Sequence, residues 1–555
     1  VTITEPGARV EAEAEEAERP AVLVAPVAAP STESWFNTGD HKKLGLAFVA
    51  ASLLFLVVGG ALGVVLRAEL AEPGVQIVGD NFGRLFSMHA TVMTMLFLGP
   101  LWVGLATYVV PLQLGAGRLA LPRVHATALW LFVLGGCLLV AAYVVGPPAG
   151  LGLTSPFALV AHGRANHATT LWIASLLVLA ASSILASTSL LTTVVTLRAE
   201  GMTFLRLPAF SWATMVTAII SLLSTPVFVA GLVLLELDQR FGGTLFTARG
   251  SAAVWQHSLW LFGRPEIYLL TLPGLGAASD IVATHARRPL PARALNLAAL
   301  SALAVLSLGA WAAGHRVANA VVLPTYTPLT ALVALPVGLL VLLWLAALRL
   351  GRPQFHVSLL FVAGFVMLLA VGAGNVLGAA VAGISGGSAW TTGHLHTVAF
   401  GAPTLLAFGA LYHWAPKFWG RSLSPRLGAA AFLFLFGGFL VGGVASYVLG
   451  YQGAPNRVKD LAPKFANLDR VAAAGGVLVL VGVVVFLLDL LTSVGRRRGA
   501  EAGDDPYTGL TLEWATASPP PAHGFDTVPE VRSAAPLEDV RAAAGASGTG
   551  AGEAP

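Results

Sequence analysis

About twelve apolar runs, each long enough to cross a bilayer as a helix of about 20 residues, constrain this chain more than any other feature. They fall near 44–66, 85–110, 127–145, 169–197, 211–235, 255–275, 295–313, 326–348, 357–382, 391–415, 427–449 and 471–491. Backbone groups inside hydrocarbon must find partners within their own segment, so runs of this length are helices or nothing. The composition agrees: 56% hydrophobic and 11% charged residues, against about 45–50% and about 25% in soluble domains. The expectation is an all-α integral membrane protein with twelve transmembrane helices.

Four regions follow. Residues 1–34 read as a disordered, solvated N-terminal tail without the basic start and apolar stretch of a signal peptide. Residues 35–498 form the membrane domain, 499–528 an extended cytoplasmic segment, and 529–555, rich in Ala and Gly, a disordered C-terminal tail. Lys and Arg concentrate in alternate loops, about 17 against about 10, which places both termini in the cytoplasm by the positive-inside rule. The loop carrying Arg457, Lys459, Lys464 and Arg470 breaks that pattern and calls for a local anionic partner. A net charge of +4 spread along the chain gives no nucleic-acid footprint. Cys137 is the single cysteine, so an intrachain disulfide is excluded, and its place in an apolar run predicts a packed core residue.

Gly393-His394-Leu395-His396 lies inside the tenth run. Residues i and i+2 on a helix point roughly 200° apart, so the two imidazoles address different partners on opposite faces. An imidazole in an apolar span needs a proton partner or a metal, and haem iron is a common taker. Packing against neighbouring hydroxyls is the other account, and the motif by itself does not choose between them.

The chain resembles subunit I of the haem-copper oxidases, the cytochrome c oxidase family. The resemblance runs from about Trp35 to Val528 and is carried by Asp40-His41-Lys42-Lys43, Arg67-Ala68-Glu69-Leu70, Ser87-Met88-His89-Ala90, Pro111-Leu112-Gln113, Trp255-Gln256-His257, the segment from Phe262 to Tyr268, Gly393-His394-Leu395-His396, His413-Trp414 and Leu512-Glu513-Trp514-Ala515-Thr516. It implies two haems: one low-spin, with His89 and His396 as axial ligands, and one high-spin, with His394 as proximal ligand. It implies that Arg67 contacts the edge of the low-spin haem, and that Arg457 holds a haem propionate. It also implies oxidation of cytochrome c or quinol in a respiratory chain, partner subunits resembling subunits II and III, and residence in a bacterial plasma membrane.

Several positions depart from the family pattern. The family holds copper with three histidines, one opening His-Pro-Glu-Val-Tyr and two forming a pair; here these positions are Arg264 and His315-Arg316. A guanidinium has no lone pair to offer a metal, and one imidazole, His315, cannot hold copper between two cations. Copper is therefore expected to be absent, and Tyr268 has no histidine at 264 to be linked to. Proton-route positions of the family are Arg118, Thr107, His125 and Leu340 here, and its magnesium pair aligns with Gly386 and Gly387, so that metal is expected to be absent too. Glu266, Tyr268, His315, Arg264 and Arg316 remain as candidate catalytic residues. The two arginines either neutralise Glu266 or form a cationic distal pocket that polarises an O–O or N–O bond.

These departures make oxygen reduction and proton pumping doubtful expectations while leaving electron transfer through two haems. The alternatives are a copper-free haem reductase of peroxide or a small nitrogen or sulfur species, a non-catalytic electron-transfer subunit of a larger complex, or a haem-free transporter. His41, His125, His162, His167, His285, His356 and His523 are expected to be solvated or at headgroup level, and His257 and His413 have no assigned metal role.

Overall fold

The computed structural model describes residues 38–74, 76–146, 167–241, 246, 255, 269–310, 332–384, 388–456 and 458–549. Among these the chain is helical, and nine helices have the length and apolarity to cross a membrane: α1 His41–Ala71, α2 Gly79–Gln113, α3 Pro122–Val145, α4 His167–Thr196, α5 Ala209–Phe241, α9 over Val357–Ala382, α10 Ala389–Trp419, α11 Pro425–Tyr451 and α12 Pro463–Gly495. Three shorter helices are also described: α7 Arg293–Ala310 and α8 Ala334–Leu350 lie in the seventh and eighth apolar runs, while α6 Leu272–Ala286 begins only at the end of the sixth.

Asp40 starts α1 by accepting the Lys42 amide at 2.9 Å, the N-cap arrangement that satisfies an otherwise orphan donor. Sequence neighbours pack side by side, α3 on α4, α4 on α5 and α11 on α12, and α1 also packs on α12. Without a hydrophobic force between helices in lipid, small residues set how closely backbones approach. At Gly475 of α12 an added Cβ would run into the backbone of Gly442 on α11, so glycine is required there. Cys137 is exposed on α3 rather than packed, which corrects the sequence expectation: apolar surroundings in a membrane helix do not distinguish the outer face from the core.

The last span is followed by a strap across one end of the bundle. Lys417, fully buried, donates from Nζ to the carbonyls of Asp504 (2.8 Å) and Thr516 (2.5 Å), and Arg421 donates to the Gly499 carbonyl at 2.7 Å. The expected disorder from 529 onward is corrected for the described residues, which run to 549. Val531, Ala535 and Leu537 are buried, a helix α13 runs Pro536–Thr549, and Arg541 pairs with Asp505 at 2.6 Å. Tertiary contacts order a stretch whose composition alone would not.

Glu513 of the strap sits beneath a shared amide: Gln113 Nε2 donates to Glu513 Oε1 at 3.1 Å and to Asp280 Oδ2 at 3.0 Å. Asp280 also accepts the amides of Ala209 and Phe210, both at 3.0 Å. Burial, reinforced by the Asp280 carboxylate, pushes the Glu513 carboxyl up to about 7. From the ordinary carboxyl value of about 4.5 up to about 7, the unfolded chain releases a proton that the folded one keeps, so stability falls as pH rises through that window. At about 1.4 kcal/mol per pH unit the loss is on the order of 3 kcal/mol. Glu513→Gln therefore melts with the native protein at pH 5 and at a higher temperature than it at pH 8; identical melting profiles across this range would refute the assignment.

Candidate functional site

The tenth span carries a π-helical turn over Leu395–Ala399, immediately after His394, and α2 carries another over Met93–Phe97, one turn beyond His89. Such turns insert a residue into the helical phase and re-aim side chains, and they recur at functional sites. Here they lie within the two helices that present imidazoles to each other, and His396 belongs to one of the turns.

His89 Nδ1 bonds to the Gly59 carbonyl at 2.8 Å, and His396 Nδ1 to the Thr392 carbonyl at 2.8 Å. A carbonyl only accepts, so each Nδ1 carries the proton and each Nε2 keeps its lone pair; this is how a metal-ligating histidine is oriented. The two rings lie nearly parallel, 10° apart, with centroids separated by 6.4 Å. Two metal–nitrogen bonds of about 2 Å, each extended by the ring radius, place the centroids of a pair of axial imidazoles about 6 Å apart. The residues therefore fit a haem iron between them. Gly63 on α1 makes room for the arrangement, since a Cβ there would stand 2.9 Å from His89 Cε1.

His394 lies elsewhere on the helix. Its ring stacks on Trp390, centroids 5.2 Å apart and planes 9° apart, and its Nδ1 stands 3.5 Å from the Tyr447 hydroxyl. The Tyr447 hydroxyl also meets Thr397 Oγ1 at 2.7 Å. His394 and His396 thus meet different ring partners.

Arg67 does not snorkel outward: its Nη2 donates to Ser446 Oγ of α11 at 3.2 Å. The neighbouring Glu69 accepts the amides of Ile77, Val78 and Gly79 at 2.5, 2.9 and 3.3 Å and so fixes the turn between α1 and α2. The anionic partners expected for the reversed-charge loop lie partly in this chain, where Arg470 pairs with Glu72 at 2.8 Å and Lys459 with Asp80 at 3.1 Å. Arg457, Arg264, Glu266, Tyr268, His315 and Arg316 lie outside the described residues, as do Gly386, Gly387, His162 and His257.

The altered proton-route positions are placed in part. Thr107 Oγ1 meets His125 Nε2 at 2.7 Å, the Thr107 carbonyl meets His41 Nδ1 at 3.1 Å, Leu340 is fully buried in the apolar core, and Arg118 is exposed. A cavity of about 120 Å³ lies among α1 to α5 and the start of α6, with Ser183, Thr214, Thr217 and Ser221 among its hydroxyl-bearing walls.

Three histidines expected to be solvated, His41, His125 and His285, are buried instead, and His356 is half-buried. His41 and His125 are fully enclosed, and His285 and His356 stack at 4.5 Å. His285 Nε2 meets His413 Nδ1 at 3.2 Å and His356 Nε2 meets the Tyr507 hydroxyl at 3.2 Å. Burial pushes the His356 imidazole down to about 4, so it is neutral near pH 7. The strap covers these span-end positions, which a count of apolar runs could not reveal. The signal the sequence did offer was the carboxylates in or just beside apolar runs, Asp489 within the last run and Asp280 and Asp469 at run ends, each costly to bury unpartnered.

A polytopic membrane bundle with a carbonyl-anchored imidazole pair suited to axial metal ligation is the class that fold and site define. The chain belongs to the family described as Cytochrome C and Quinol oxidase polypeptide I, whose sequence profile matches residues 43–484. It is 36% identical over 516 residues, 91% of this chain and 92% of the relative, to a Streptomyces avermitilis protein provisionally named cytochrome c oxidase subunit 1-beta. Cytochrome c oxidase subunit 1 of Corynebacterium efficiens is 32% identical over 518 residues, 91% of this chain and 89% of the relative. The fold is similar to that of a chain in the cryo-EM structure of a heme-copper terminal oxidase dimer, with a TM-score of 0.69 and 18% identity over 82% of this chain and 84% of the other.

Proposed function

We propose that this chain is subunit I of a respiratory electron-transfer complex in a bacterial plasma membrane, crossing it twelve times with both termini cytoplasmic. His89 and His396 hold a low-spin haem and His394 a high-spin one. The parallel imidazole pair at 6.4 Å, each ring fixed by a backbone carbonyl, is the observation that carries this reading. Bound there, the haems supply one-electron redox chemistry whose potential the protein tunes. The Gly59 and Thr392 carbonyls keep Nε2 of each imidazole free for the metal, and Arg67 sets the charge beside them. Partner subunits resembling subunits II and III and a cytochrome c or quinol donor complete the proposed assembly.

At the distal side the proposal departs from the family. Arg264 and Arg316 offer no lone pair, so His315 is the one imidazole left and copper is absent; with Gly386 and Gly387 in place of its usual ligands, magnesium is absent as well. The same two guanidiniums favour a second reading of the reaction, in which Arg264, Arg316 and His315 orient a peroxidic or small nitrogen or sulfur substrate while Glu266 and Tyr268 hand over protons.

Carbon monoxide tests the haem assignment. The reduced, purified protein gives a carbon monoxide difference spectrum that His394→Ala abolishes while leaving the low-spin absorption in place. Loss of both signals together, or survival of the carbon monoxide signal, contradicts the proposal.

A further inference from the structure

Arg67 is a half-buried cation near the His89 and His396 pair, and a guanidinium stays protonated in any protein environment. Burying such a charge without a compensating one is costly. The two acids nearest to it in sequence are committed elsewhere: Glu69 accepts three backbone amides, and Glu72 pairs with Arg470. Asp469, near the start of α12 and 2% exposed, is the acid whose charge reaches Arg67. α12 packs on α1, and Gly476, two turns along α12, faces the Arg67 stem, with Cγ 3.8 Å from where its Cβ would stand. Among the described residues Asp469 Oδ2 is buried without a hydrogen-bond partner, and Asp469 acts on Arg67 through its charge rather than through a direct hydrogen bond. The guanidinium itself is held by Ser446.

We infer that Asp469 is the buried counter-charge of Arg67 and that its carboxylate lowers the reduction potential of the centre held by His89 and His396. This rests on the proposed haem assignment. A cation near an iron favours the electron-rich reduced state, and an anion nearby offsets it; in a medium of low dielectric neither effect is screened away. Asp469 is a tuning residue: it acts through the field of Arg67 and touches neither imidazole.

Spectroelectrochemical titration of the purified full-length protein tests this. Asp469→Asn, which keeps the side-chain shape and removes the charge, shifts the reduction equilibrium of the low-spin centre about tenfold toward the reduced form, about 59 mV for a one-electron couple. Asp469→Glu keeps the native potential. An Asp469→Asn protein with native absorption and an unmoved potential overturns the inference while leaving the haem assignment standing. A Glu variant that shifts as far as the Asn variant overturns it as well, since that would be a packing effect. If Asp469→Asn does not accumulate, Arg67→Gln must lower the potential, and no fall refutes the inference. A native protein without low-spin absorption defeats the haem assignment itself, so the two failures are distinguishable.

Discussion

Replacing His396 with alanine abolishes the six-coordinate low-spin absorption of the purified protein, and His89→Ala does the same. Each ring offers its Nε2 lone pair to the gap, because each Nδ1 is committed to a backbone carbonyl at 2.8 Å. Losing the outer partner of a metal ligand costs about 10- to 100-fold in affinity or activity. Losing the ligand costs more, and electron transfer through the chain falls by more than about 100-fold. The spectrum of the oxidised and reduced states checks this. Alanine variants that retain the native absorption would show that the pair serves only as packing, with the 6.4 Å separation filled by something other than a metal.

A second large effect is a gain. The double substitution Arg264→His and Arg316→His removes two fixed positive charges and, with His315, supplies three imidazoles where the native sequence has one. Imidazole suits copper well, and one neutral nitrogen between two cations does not hold it. The variant takes up about one copper per chain where the native protein takes up about none. Either single variant, with two imidazoles and one remaining guanidinium, stays well below the double. A double variant as copper-free as the native protein would mean that these positions do not converge on one site.

The apolar runs made the membrane bundle legible, because hydrocarbon admits few backbone solutions. The Gly393-His394-Leu395-His396 motif likewise pointed to imidazoles serving different partners, and His394 meets Trp390 and Tyr447 while His396 meets His89. What stayed hidden depends on contacts distant in sequence. The π turns beside His89 and around His396 leave no residue signature, since Met93-Thr94-Met95 and Leu395-His396-Thr397 are ordinary helical sequence. The His285, His356 and His413 cluster is covered by a strap that arrives from more than two hundred residues downstream of His285, with Tyr507 bonded to the half-buried His356. Helix α13 forms from a segment of low apolar content because Leu537 is buried and Arg541 finds Asp505. Cys137 failed for the opposite reason: its local sequence is apolar whichever way the side chain points.

Counting iron and copper in the purified native protein, alongside a protein concentration from amino-acid analysis, tests the central claim most directly. The proposed assignment predicts two irons and no copper for each chain, both irons in haem. A stoichiometric copper in the native protein, or fewer than two irons with full occupancy of the fold, would contradict it.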